Sequence, residues 1–109
     1  MEIRQLQHFL AVVETGSFHK AAALVNITQQ AISRSIQQLE KECGGRLLER
    51  KKGTRHSVGP TSFGLLLLPR AQRALAELKG FRDELENLMG TGREMVRLGA
   101  TPTAVRGLL

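Results

Sequence analysis

Tryptophan and tyrosine are absent from these 109 residues, and phenylalanine occurs only four times. So few aromatics argue against a stacking platform for single-stranded nucleic acid. There is one cysteine, Cys43. It cannot form an intramolecular disulfide, which fits a reducing compartment, and it leaves too few ligands for a zinc finger. His8, His19 and His56 are too scattered to form a metal or catalytic set. The leucine run at 65–68 is far too short to span a bilayer. The first stretch, MEIRQLQHFLAVVE, has no basic n-region and no cleavage site, so it is not a signal peptide. No Ser/His/Asp set, glycine-rich phosphate loop or carboxylate pair is visible, and no enzyme is expected. These absences together imply a soluble, cytoplasmic protein with no metal, no cofactor and no membrane partner.

Acid is missing from one stretch in particular. From Gln29 to Gln38 the chain carries four glutamines, two serines and one arginine, and its next acid is Glu40. The whole chain has a formal charge of +6. Five bases against one acid fall between Arg46 and Arg55. A local basic patch points to an anionic partner, with nucleic acid ahead of a membrane surface.

The spacing of apolar residues predicts three short helices. Ile3, Leu6, Phe9, Leu10 and Val13 follow a helical period, and Gly16 suits the end of that helix. Ser17 is placed to cap a second helix, FHKAAALV, whose inner side is Ala21, Ala22 and Val25. Asn26 suits a turn, and Thr28 caps a third helix that buries Ile32, Ile36, Leu39 and Cys43. Gly44-Gly45 stops it. Two helices joined by about three residues have the spacing of a helix-turn-helix. In RLLERKKGTRHSVG, Leu47, Leu48 and Val58 fit the inner side of a β-hairpin, with Lys52-Gly53 in its turn.

On the third helix, Gln30, Arg34 and Gln37 share a face, with Gln29 and Ser33 beside them. Glutamine matches the adenine edge and arginine the guanine edge in the major groove. Carboxylates there would face phosphate. Such faces also occur on helices with no partner, so the motif alone is weak. Charge runs such as Arg50, Lys51, Lys52 and Arg55 usually only solvate a loop. Beside a reading helix, phosphate or minor-groove contact is the better assignment. Ser17, His19 and Lys20 at the start of the second helix, and Thr28, complete the expected DNA-contact set. A sequence-blind architectural DNA binder and a protein-interaction adaptor are the alternatives from other classes.

A long helix is expected from about Thr61 to Met89, with Pro69 kinking it or delaying its start. Ala71, Ala74, Leu78, Phe81, Leu85 and Leu88 are spaced by alternating threes and fours, and Leu75 widens the stripe. Such a seam calls for a partner, most simply a second copy. GTGRE at 90–94 is expected to be a linker. MVRLGATPTAVRGLL then alternates like a strand, as if another domain began there.

The stretch LQHFLAVVETGSFHKAAALVNITQQAISRSIQQLEKECGGRLLER, followed by T-x-x-G, resembles the DNA-binding domain of LysR-type transcriptional regulators over about residues 1–64. The resemblance implies a mostly α, winged helix-turn-helix domain over 1–60, with a small β-hairpin wing. It implies a dimerising linker helix over 61–90, and a hinge with the truncated start of an effector-binding domain over 91–109. It implies a bacterial regulator that binds a near-palindromic operator on double-stranded DNA as a homodimer or homotetramer. Gln29, Ser33 and Arg34 would touch DNA, and Arg50 would anchor the wing. In the full-length protein, Thr101 and Thr103 would lie in a small-molecule effector pocket. Three residues depart from the family's habit: Gln30 stands where Pro is common, Leu48 where Phe is usual, and Pro60 where Leu is usual.

Overall fold

A computed structural model describes residues 1–53 and 57–97 of the chain. Its elements run α1 (Ile3–Thr15), α2 (Phe18–Val25), α3 (Gln29–Cys43), β1 (Leu48–Arg50), β2 (Val58–Pro60) and α4 (Ser62–Arg97). The fold is mostly helical, a winged helix-turn-helix followed by a long helix. The chain divides into two units, Met1–Leu75 and Ala76–Leu109.

Local chemistry sets the boundaries of the first three helices. The Glu2 N–H donates to the Gln5 side-chain oxygen at 3.0 Å, which satisfies a donor that the start of α1 would leave unpaired. Gly16 ends α1 in the left-handed conformation, at φ 70°. The Ser17 hydroxyl accepts from the Lys20 N–H at 3.2 Å and starts α2. Asn26, also left-handed at φ 62°, turns the chain toward α3. The Thr28 hydroxyl accepts from the Ala31 N–H at 3.0 Å, and Gly44 closes α3. The short turn from Asn26 to Thr28 places α3 against both earlier helices.

The core of the first unit draws on every element. Phe9 and Val12 of α1 meet Ala21 and Ala22 of α2, then Ile32, Ile36 and Leu39 of α3. Leu47, Leu48 and Val58 bring in the wing, and Ala71 brings in α4. Cys43 is half-buried against this cluster, as its place on the apolar stripe implies. Leu48, in place of the usual Phe, is fully enclosed.

The buried side of α1 differs from the apolar pattern. Ile3 is 46% exposed, while Gln5 and His8 are buried beside Phe9 and Val12. Two polar side chains replace apolar ones on the inner stripe because α3 offers them partners. His8 Nδ1 lies 2.7 Å from Ser35 Oγ, and Gln5 Nε2 donates to Gln38 Oε1 at 3.4 Å.

The wing is a two-stranded antiparallel hairpin pairing Leu48 with Pro60, Glu49 with Gly59 and Arg50 with Val58. Gly53 takes φ 85° in its turn, where only glycine sits without strain. The Val58 N–H donates to the Gly16 carbonyl at 2.9 Å, which ties the wing to the end of α1.

Helix α4 corrects three expectations. It starts at Ser62, so Pro69 does not delay it; Pro69 is exposed, and the hydrogen bond it lacks falls at the surface. Ala71 is buried in the core of its own chain and is not free for a seam. The helix also passes Met89 and runs through 90–94 to Arg97, so that stretch is not a linker and 95–97 is not a strand. A glycine in a helix costs only about 1 kcal/mol relative to alanine. Gly90 and Gly92 each carry that cost, and it does not stop the helix. The expected strand from Leu98 onward, with Thr101 and Thr103, lies outside the described residues.

In the second unit, Phe81, Leu85 and Leu88 are exposed, and Leu78 is half-buried. Lys79 Nζ donates to Asp83 Oδ2 at 2.9 Å, one turn away.

Candidate nucleic-acid interface

Helix α3 has two contrasting sides. Ile32, Ile36 and Leu39 point into the core. On the opposite side Gln29, Gln30, Ser33, Arg34 and Gln37 line one open depression with no acid among them. All but the half-buried Ser33 are exposed. The sequence grouped these five by helical period, and the structure brings them together.

A larger cleft adjoins the depression and shares Gln29, Ser33 and Gln37 with it. Ser17, His19 and Lys20, from the start of α2, form another part of its lining. Arg46 and Arg50 add two bases from the wing side. The N-terminus of α2 contributes the positive end of its helix dipole. Ser17 and Thr28 both act as helix caps, so their oxygens are already accepting. Each hydroxyl retains its own hydrogen for an outward acceptor.

The wing divides the expected basic set. Arg50 lines the cleft. Lys51 and Lys52 are exposed but line neither concavity, and the stem of Lys51 lies across Gly59. Arg55 lies outside the described residues.

Two functional features were not read from the sequence. Arg46 joins the cleft lining beside Arg50. Glu40 does more than mark where the helix face turns acidic: its carboxylate accepts the Leu47 N–H at 2.7 Å and the Leu48 N–H at 3.3 Å. Arg46 Nε stands 3.9 Å from the same oxygen, and its Nη2 donates to the Leu48 carbonyl at 3.2 Å. Glu40 therefore fastens the root of the wing to α3. An acid just ahead of Gly-Gly and two buried leucines is the only sequence signal for this. Glu49 is a second acid of the cleft.

The back of α3 is held by α1 through the His8–Ser35 and Gln5–Gln38 contacts. Burial pushes the His8 pKa below its ordinary value, and Arg4 adds to that. Burial pushes the Cys43 thiol up, with Glu42 and Glu40 adding to the effect, so it is no activated nucleophile. Among the described residues no group of His, Cys, Asp and Glu is placed to hold a metal ion.

Residues 3–65 match the family described as bacterial regulatory helix-turn-helix protein, lysR family. The chain is 45% identical over 101 residues to the SDS degradation transcriptional activation protein of Pseudomonas sp. (strain ATCC 19151), covering 93% of this chain and 32% of that protein. Among solved structures, it is similar to a BenM_DBD/catB site 1 DNA complex with a TM-score of 0.73 at 40% identity. That match covers 81% of this chain and 94% of the other. A CbnR_DBD–DNA complex matches with a TM-score of 0.69 at 36% identity, over 83% of this chain and 99% of the other. The chain spans about a third of the length of the curated relatives it matches.

Proposed function

Because the chain belongs to the lysR family of bacterial regulatory helix-turn-helix proteins, we propose that it is the DNA-binding part of a transcriptional regulator that reads a near-palindromic operator. One observation carries this reading: Gln29, Gln30, Ser33, Arg34 and Gln37 share one acid-free depression on α3. A helix of this width fits the major groove, where arginine pairs with guanine O6 and N7 and glutamine with adenine N6 and N7. The cleft beside it suits the sugar-phosphate backbone. There Ser17, His19 and Lys20, with Arg46 and Arg50, meet phosphate oxygens and fix the register without reading sequence. Lys51, Lys52 and Arg55 add phosphate or minor-groove contacts from the wing. That the BenM and CbnR structures are DNA complexes supports the assignment.

Two chains pair through α4 as a homodimer, or assemble further into a homotetramer. Exposed Phe81, Leu85 and Leu88 support this pairing, together with Ala74, Leu75 and Leu78 of the same seam. Paired chains read two half-sites spaced by about one helical turn, ~34–36 Å, or a multiple. A longer protein containing this chain adds a small-molecule effector site, with Thr101 and Thr103 at its beginning. No helix among the described residues is long and apolar enough to cross a membrane, in keeping with action in the cytoplasm. The test is the ratio of affinity for a selected duplex to affinity for random duplex at fixed salt. A ratio of at least about a thousand fits the reading. A ratio near one fits a sequence-blind architectural protein, and no binding at low salt fits an adaptor.

A further inference from the structure

Two acids line the cleft beside the α3 depression, and their surroundings differ. Glu40 is half-buried, and its carboxylate is occupied by the Leu47 and Leu48 N–H groups, with Arg46 Nε 3.9 Å away. Its charge faces donors of its own chain. Glu49 is exposed, in the middle of β1. Strand alternation sends Leu48 into the core and Glu49 to the other side. Its ladder partner, Gly59, brings no side chain to cover it. Lys51, whose stem lies across Gly59, forms no ion pair with it. Among the described residues the Glu49 carboxylate has neither a hydrogen bond nor an ion pair. It is a free negative charge on the wall that also carries Arg46 and Arg50, across from Lys20.

We propose that Glu49 restrains the DNA contact: it holds the phosphate affinity of the cleft below what Lys20, Arg46 and Arg50 would give without it, and does so alike on every sequence. The inference rests on the reading of this cleft as the seat of the sugar-phosphate backbone. Binding to random duplex is almost wholly a phosphate term, and random sites vastly outnumber an operator. An acid beside the phosphate track weakens that term. The α3 depression holds no acid, so its base contacts are untouched. A unit charge about 7 Å from a phosphate across solvent changes affinity by a few-fold, and salt screens the effect. An acid on an edge strand also discourages pairing with another chain. That role alone would leave DNA affinity where it is.

The experiment titrates the wild type and three variants onto the duplex selected by the wild type and onto a random duplex of the same length, at low and at raised salt. Glu49→Gln should bind both duplexes about threefold to tenfold more tightly at about 50 mM salt. The gain should shrink to less than about twofold at about 300 mM. Glu49→Asp, which restores the charge, should bring affinity back toward the wild type. Glu14 is exposed on α1 and lines neither concavity. Glu14→Gln makes the same change in net charge away from the cleft and should gain less than about twofold. Circular dichroism checks that each variant is folded. No gain for Glu49→Gln overturns the inference. So does an equal gain for Glu14→Gln, which makes the effect one of net charge. A gain confined to the selected duplex also overturns it, because Glu49 would then act on base reading. A wild type that binds neither duplex removes the DNA reading itself, and the inference falls with it.

Discussion

His8 of α1 and Ser35 of α3 face each other with Nδ1 2.7 Å from Oγ, so a buried imidazole braces the back of α3. The burial that seats His8 also lowers its pKa, helped by Arg4. The unfolded chain then binds the proton more readily than the folded one. Stability is therefore expected to be complete above the ordinary histidine value of 6.5 and to fall as the pH drops through it. It levels off once the folded imidazole also titrates. Urea midpoints at about pH 7.5 and about pH 5 measure this. The drop should be smaller in His8→Gln, and equal drops in both proteins contradict the account.

Arg34 lines the α3 depression. Arg34→Ala is expected to cost about 1–3 kcal/mol of binding and to relax the preference at one base position. Titrations on duplexes changed one pair at a time read this out. A uniform loss on every duplex would make Arg34 a phosphate contact.

Lys51 lines neither concavity, so it is assigned to phosphate. Lys51→Ala should weaken all sequences alike and reduce the slope of log affinity against log salt by about 1. A sequence-dependent loss with an unchanged slope would move Lys51 to the base-reading set.

Glu40 holds two backbone donors at the root of the wing. Glu40→Ala leaves both without this partner and is expected to cost about 1–3 kcal/mol of folding stability. Glu40→Gln keeps an acceptor and should lose less. Denaturant midpoints for the three proteins decide it, and equal midpoints would show that the clamp contributes nothing.

Much of this architecture was legible because its signals are local. Ser17, Thr28, Gly16, Asn26 and Gly44 each act within a few residues, and they place α2 and α3 correctly. The grouping of Gln29, Gln30, Ser33, Arg34 and Gln37 on one side of α3 follows from helical period alone. What escaped depends on distant partners. His8 meets Ser35 27 residues away, and Gln5 meets Gln38 33 residues away, so polar residues on the inner stripe of α1 could not be told from surface ones. The partners of Glu40 are backbone groups, which carry no signature in the sequence. Ala71 fits the α4 seam by spacing, yet it packs into its own core because α4 folds back against Leu47. Gly90 and Gly92 read as a break, but nothing beyond their small helix cost enforces one.

The central claim is that the acid-free side of α3 reads base edges. Selection of bound duplexes from a random pool, at one stated salt concentration, tests it most directly. The account predicts enrichment of a near-palindrome with two half-sites about one helical turn apart or a multiple of it, and a change in the enriched sequence for Gln30→Ala. A bound pool indistinguishable from the input, for wild type and variant alike, would contradict it.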